Sequence, residues 1–298
     1  MPMSTSFLPT RREMLASSFL TAATLPSLLA AGPKSVGVQL YTVRGTLMKE
    51  SEKVIQTIAK IGYKEIEGAG RADLLKLLPL IQANGMKAVS CHVETPLITG
   101  NWEKYPNFTA KPSVDEAVES VKKMGAQYFT MAYITPAERG DLDFYKRTAD
   151  QMNKVGEACK KGGLQFVYHN HAFEFGGKPG ERPIDVFKER LDKKLVALEM
   201  DVFWVSVAGH DPVEMLKEWK GRVALIHLKD KEKGTPVQYV ESVPKTAFKE
   251  VGSGTLDFKA ILKAAPAAGV KHYFVEQDQT PGDALDSLKK SFEYLKTV

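Results

Sequence analysis

The chain has 298 residues, 43% of them hydrophobic and 26% charged, which supplies a sizeable core and excludes a disordered polymer. Its 41 basic and 36 acidic residues leave a formal charge of only +5. The basic residues are scattered through helical segments such as 122–125 and 160–163 rather than gathered in a block, so no nucleic-acid surface is expected. Two cysteines, Cys91 and Cys159, exclude a disulfide framework and read as buried thiols.

In chain order, the first segment differs in kind from the rest. Thr10-Arg11-Arg12 precedes an 18-residue apolar stretch, 14–31, that contains Pro26 and ends in alanines. A positive region, an apolar core and a small-residue exit are the parts of an export signal. The arginine pair resembles a twin-arginine signal, with Met14 and Leu15 standing where a bulky apolar pair is usual. Residues 1–32 are therefore expected to direct export to the periplasm and to be removed near 30–32. No lasting membrane association is then expected; an uncleaved segment would instead anchor the protein.

From residue 33 onward, short β-prone runs alternate with amphipathic segments. The runs fall at 36–43, 63–68, 87–93, 128–133, 164–171, 196–203, 222–230 and 271–278, each rich in Val, Ile, Phe and Tyr. Runs apolar on both faces are those of a parallel sheet buried on both sides. Between them, ESEKVIQTIAKIG places Val54, Ile55, Ile58 and Ile61 on one helical face and stops at Gly62. SVDEAVESVKKMG begins with Ser113 as N-cap and Glu116 three residues on, and ends at Gly125. Leu74 to Leu78 and Ile81 form another such stripe before Gly85, and further helices follow at 142–163, 184–191, 212–219, 257–268 and 283–296. Eight such pairs in 33–298 predict a single-domain α/β protein, a closed (β/α)8 TIM barrel. An open doubly wound sheet is the alternative, but YTVRGTL after the first strand lacks its glycine-rich turn.

The C-terminal ends of the runs, where a barrel builds its active site, carry the ionisable groups. These are Glu67, His92 and Glu94, then His169 and His171, Glu199 and Asp201, His227 and Lys229, and finally Glu276 and Asp278. Residues two apart on a strand share a face, so each close pair points the same way. Glu94 and Asp278 are expected at solvent, and Lys229 beside a neighbouring carboxylate. Asp201, His227 and Glu276 come from three successive strands at equal depth. Two carboxylates and an imidazole suit Mn2+, Mg2+, Co2+ or Zn2+ better than a thiolate-seeking metal.

The motifs YHNHAFEF (168–175), LEMDVFWVSVAG (198–209), RVALIHLKD (222–230), VGSGTLDF (251–258) and YFVEQD (273–278) stand in this order at strand ends. In that arrangement the chain, over roughly 34–297, resembles the sugar phosphate isomerase/epimerase group of the xylose isomerase-like TIM barrels. The resemblance implies one divalent metal, Mn2+ foremost, held from strands five to eight by a fifth-strand glutamate position and by Asp201, His227 and Glu276. The fifth-strand position is occupied here by His169. Either Glu174 reaches back as the fourth ligand, or His169 ligates or acts as a base. Trp204 stands where several epimerases keep a histidine.

The implied chemistry is removal of a proton beside a carbonyl. His169, His171, Glu174 and Glu276 are the candidate proton carriers and Lys229 the stabiliser of developing charge. Glu67, His92 and Trp204 are the expected substrate contacts. A metal-dependent isomerase or epimerase of a sugar or keto-sugar is the leading expectation. A lyase or dehydratase on an inosose-like or keto-glycoside substrate is the alternative, and a non-catalytic carbohydrate-binding barrel a third. A three-zinc apurinic endonuclease would need more than the six histidines present and a basic groove. A phosphorylated substrate is not expected, because an exported protein meets few of them; VGSGTLDF is the one candidate phosphate turn.

Overall fold

Eight strands form a closed, all-parallel barrel in a computed structural model that describes Met1 and residues 35–298. They are β1 (Gly37–Gln39), β2 (Glu65–Gly68), β3 (Lys87–Val93), β4 (Tyr128–Met131), β5 (Gln165–His169), β6 (Val196–Asp201), β7 (Val223–Leu228) and β8 (His272–Val275). Closure is made where Gly37 pairs with Phe274 on one side and with Glu65 on the other. A Cβ on Gly37 would stand 2.4 Å from the Phe274 ring, so the absence of a side chain there lets that ring fill the barrel. The expected export signal lies outside the described residues. No described helix is long and apolar enough to cross a membrane.

Helices follow the strands as the periodicity predicts. Ser113 caps Val114–Lys123 in a reciprocal box: its hydroxyl accepts from the Glu116 amide (3.2 Å), and Glu116 accepts from the Ser113 amide (2.8 Å). Leu142–Gly162 starts on Asp141 and ends at Gly163, whose φ of 82° suits glycine. The first run is shorter than expected. After Gln39 the backbone tightens into a 3-10 turn, Leu40–Val43, because the Gln39 side chain accepts from the Tyr41 amide. The sixth run likewise ends at Asp201, which caps a short helix, Val202–Val207. Beyond β7, Asp230–Lys231 and Phe248–Lys249 pair antiparallel and tie back the long loop between them.

Two apolar cores result. The larger lies between the barrel wall and the helices, and holds both free cysteines, Cys91 and Cys159, with no solvent exposure. The smaller fills the barrel itself with Val89, Tyr128, Val167, Leu225 and Phe274. Side chains return to the same face every second residue. The next inward positions above Val167, Leu225 and Phe274 are therefore His169, His227 and Glu276, and the interior turns from apolar to ionisable in one step.

Candidate active site

That ionisable layer is buried. Gln39, Glu67, Glu199, Asp201 and His227 are fully inaccessible, and His169, Lys229 and Glu276 nearly so. Glu67 at the end of β2 accepts from Gln39 Nε2 (2.9 Å) and meets His227 Nε2 at 2.5 Å. His92 lies between Glu67 (3.4 Å) and Glu199 (3.3 Å). His227 sits at the centre, with Nδ1 2.9 Å from Glu276 Oε2 and Nε2 3.3 Å from Glu199 Oε1. Lys229 Nζ lies 3.0 Å from Asp201, 2.8 Å from Glu276 and 2.6 Å from Asp278.

Charge and burial set the protonation states. Burial opposes the charged form of Lys229, but Asp201, Asp278 and Glu276 outweigh it and hold the ammonium well above its usual range. Burial also opposes the His92 imidazolium, yet Glu67 and Glu199 push it up to about 9. His169 and His171 go the other way. Burial drives both well below the usual imidazole value, with His227 acting further on His169 and Lys229 on His171. Both are neutral rings at pH 7, able to accept a proton or a metal.

His169, Asp201, His227 and Glu276 each offer an atom within 4.8 Å of the others, and His92, His169, Glu199 and His227 do the same. Asp201 is prepared for such a role. Its Oδ1 accepts from the Phe203 (2.9 Å) and Trp204 (3.1 Å) amides, while Oδ2 makes no aligned hydrogen bond and meets the Lys229 ammonium at 3.0 Å as an ion pair. His169 Nδ1 and Glu199 Oε1 likewise make no aligned hydrogen bond, although Nδ1 lies 3.2 Å from Glu199 Oε2 and Oε1 lies 3.3 Å from His227 Nε2. Buried polar atoms short of hydrogen bonds are costly, and a cation among these imidazoles and carboxylates would supply a further partner. The cluster fits a divalent metal.

Glu174 is not brought to this group. It is fully buried, but its oxygens take the Tyr168 hydroxyl and the His171 amide (2.9 Å), which turns the carboxylate away from the mouth. In place of the expected reach of Glu174, His169 lies among the possible ligands. The His171 ring lies 4.7 Å from Tyr133, 4.9 Å from His169 and 5.5 Å from Trp204, on the rim of the cluster. Trp204 is buried beside it with an unpartnered Nε1. Two residues expected at solvent are otherwise engaged: Glu94 pairs with Arg71 (3.0 Å), and Asp278 holds Lys229. Gln39 and Asn170 are not among the expected site residues, yet Gln39 orients Glu67, and Asn170 Oδ1 accepts from the Asp201 amide (3.1 Å).

Fold and site together define a barrel enzyme with its ionisable groups at the C-terminal mouth. The chain belongs to the xylose isomerase-like TIM barrel family, which it matches over residues 55–298. It is 26% identical over 270 residues to an inosose dehydratase of Clostridium perfringens, covering 82% of this chain and 89% of that one. A sugar phosphate isomerase/epimerase from Parabacteroides distasonis superposes with a TM-score of 0.72 at 23% identity, covering 91% of this chain and 96% of the other. A probable 3-DHS dehydratase from Bacillus anthracis superposes with a TM-score of 0.66 at 12% identity, covering 88% and 98%.

Proposed function

We propose that this protein is a lyase acting on a keto-sugar or keto-cyclitol, removing the proton beside the carbonyl and the oxygen substituent one carbon further on. The observation that carries the reading is the placement of His171 on the rim of a buried cluster fit for a metal, with the Lys229 ammonium beside that cluster. His169, Asp201, His227 and Glu276 would hold the cation, and two imidazoles with two carboxylates favour Mn2+, Co2+ or Zn2+ over Mg2+. Bound there, a divalent metal supplies Lewis acidity for a substrate carbonyl.

His171 is the base in this reading. Its imidazole takes the proton, and the C–H electron pair becomes the new C=C bond as the C–O bond of the leaving group breaks. The Lys229–Asp278 pair gives the departing oxygen its proton, so a hydroxyl leaves as water and no oxidant is needed. Glu67, beside His227 Nε2, and His92, stacked on the His227 ring, contact substrate hydroxyls or fix His227. An isomerase or epimerase would share the first proton transfer. Elimination is put first because the relative aligned over most of both chains is named for it.

The test is incubation of the metal-loaded protein with inososes and keto-sugars in deuterated water. An absorbing enone should form, and His171→Gln should abolish it while keeping the metal. Deuterium entering a rearranged sugar without any enone would replace the lyase reading with isomerisation. Neither enone nor deuterium exchange with any substrate would reject proton abstraction altogether. We also propose export through Arg11 and Arg12: changing both to Lys should hold the precursor in the cytoplasm, and undiminished delivery to the periplasm would reject it.

A further inference from the structure

In barrels of this architecture, phosphate groups are commonly bound by the loops after the seventh and eighth strands and by a helix N-terminus beside them. Successive backbone amides in a glycine-rich turn make the cradle. The loop after β7 contains such a turn, VGSGTLDF, at 251–258. It is already full.

The wholly buried Asp230 carboxylate occupies it. Its Oδ2 accepts from the Gly252 (3.0 Å) and Gly254 (2.8 Å) amides, and its Oδ1 from the Leu256 (3.1 Å) and Lys231 (2.7 Å) amides. A Cβ on Gly254 would stand 2.4 Å from Asp230 Oδ1 and equally close to the Lys231 carbonyl. The glycine is thus required by the chain's own anion. Four neighbouring donors are taken as well. Asp257 accepts from the Ala260 amide (3.0 Å) at the start of the helix that follows, and Asp283 accepts from the Leu285 amide (2.8 Å) after β8. Lys231 Nζ donates to the Ser206 carbonyl (3.0 Å), and Lys249 pairs with Glu232 (2.5 Å).

We infer that the substrate handled at this mouth carries no phosphate, and that Asp230 is the specificity-determining residue that closes the phosphate position. A second anion there would have to displace a carboxylate with four amide hydrogen bonds, or lie against it unpaired. This deepens the proposed function by naming an unphosphorylated substrate class. It is tested through binding, so a failure to detect elimination leaves it standing or falling independently.

The experiment uses the full metal-loaded chain and follows its thermal midpoint with inorganic phosphate, and with fructose against fructose 6-phosphate. The wild type should show no saturable rise with phosphate and no preference for the phosphorylated sugar. Asp230→Ala, which frees four amides, should gain a saturable rise with inorganic phosphate. Tenfold tighter binding of fructose 6-phosphate than fructose by the wild type would overturn the inference. So would a folded Asp230→Ala variant that takes no phosphate. If that variant does not fold, the wild-type pair of sugars decides alone.

Discussion

Two uncharged donors, the Tyr168 hydroxyl and the His171 amide, hold the buried carboxyl of Glu174. Burial pushes it up from 4.5 to about 8. The folded state thus keeps a proton that the unfolded chain gives up. The stability from Glu174 is complete below about pH 4.5, declines as pH rises, and is gone above about 8. Glutamine keeps the shape and cannot ionise. Glu174→Gln should therefore flatten the fall of the urea midpoint between those limits while metal content stays at the wild-type level; an emptied metal site would reassign Glu174 as a ligand. The opposite is expected at the cluster. Outer-shell partners of metal ligands typically cost about 10–100-fold in affinity, so His169→Ala, Asp201→Ala, His227→Ala and Glu276→Ala should each cost at least about tenfold by metal titration. Wild-type affinity in all four would remove the site.

Local elements carry their instructions in the chain more openly than the site does. The Ser113–Glu116 box is written in sequence and formed in space, and Ser113→Ala should cost about 1 kcal/mol in a denaturant melt. A change within error would mean that tertiary packing alone holds that helix. The barrel was legible because alternating β-prone runs and helical stripes allow few other arrangements. The grouping of Asp201, His227 and Glu276 followed from strand position. What sequence did not reveal depends on contacts between distant elements. Gln39 and Glu67 are 28 residues apart, and only barrel closure joins them. The orientation of Glu174 depended on a tyrosine hydroxyl six residues earlier, which periodicity cannot aim. VGSGTLDF read as a possible phosphate turn because the carboxylate that fills it lies 22 to 26 residues upstream.

Across the whole molecule, the barrel wall separates the small inner core from the larger outer one, and each strand contributes to both faces. Removing one strand breaks two ladders and opens the ionisable layer to water, so the wall has no obvious line along which to part. The two cysteines report on this. Cys91 lies in β3 and Cys159 in Leu142–Gly162, both fully inaccessible. Burial pushes the Cys159 thiol up to about 12 and Cys91 further still, so neither forms a reactive thiolate in the native state. Alkylation then proceeds only through opening, and each sulfur acts as a clock for its own neighbourhood. If wall and helices open as a unit, Cys91 and Cys159 should be labelled at one rate, equal to the unfolding rate when reagent is in excess. Faster labelling of Cys159 would reveal a helix that peels away while the barrel endures.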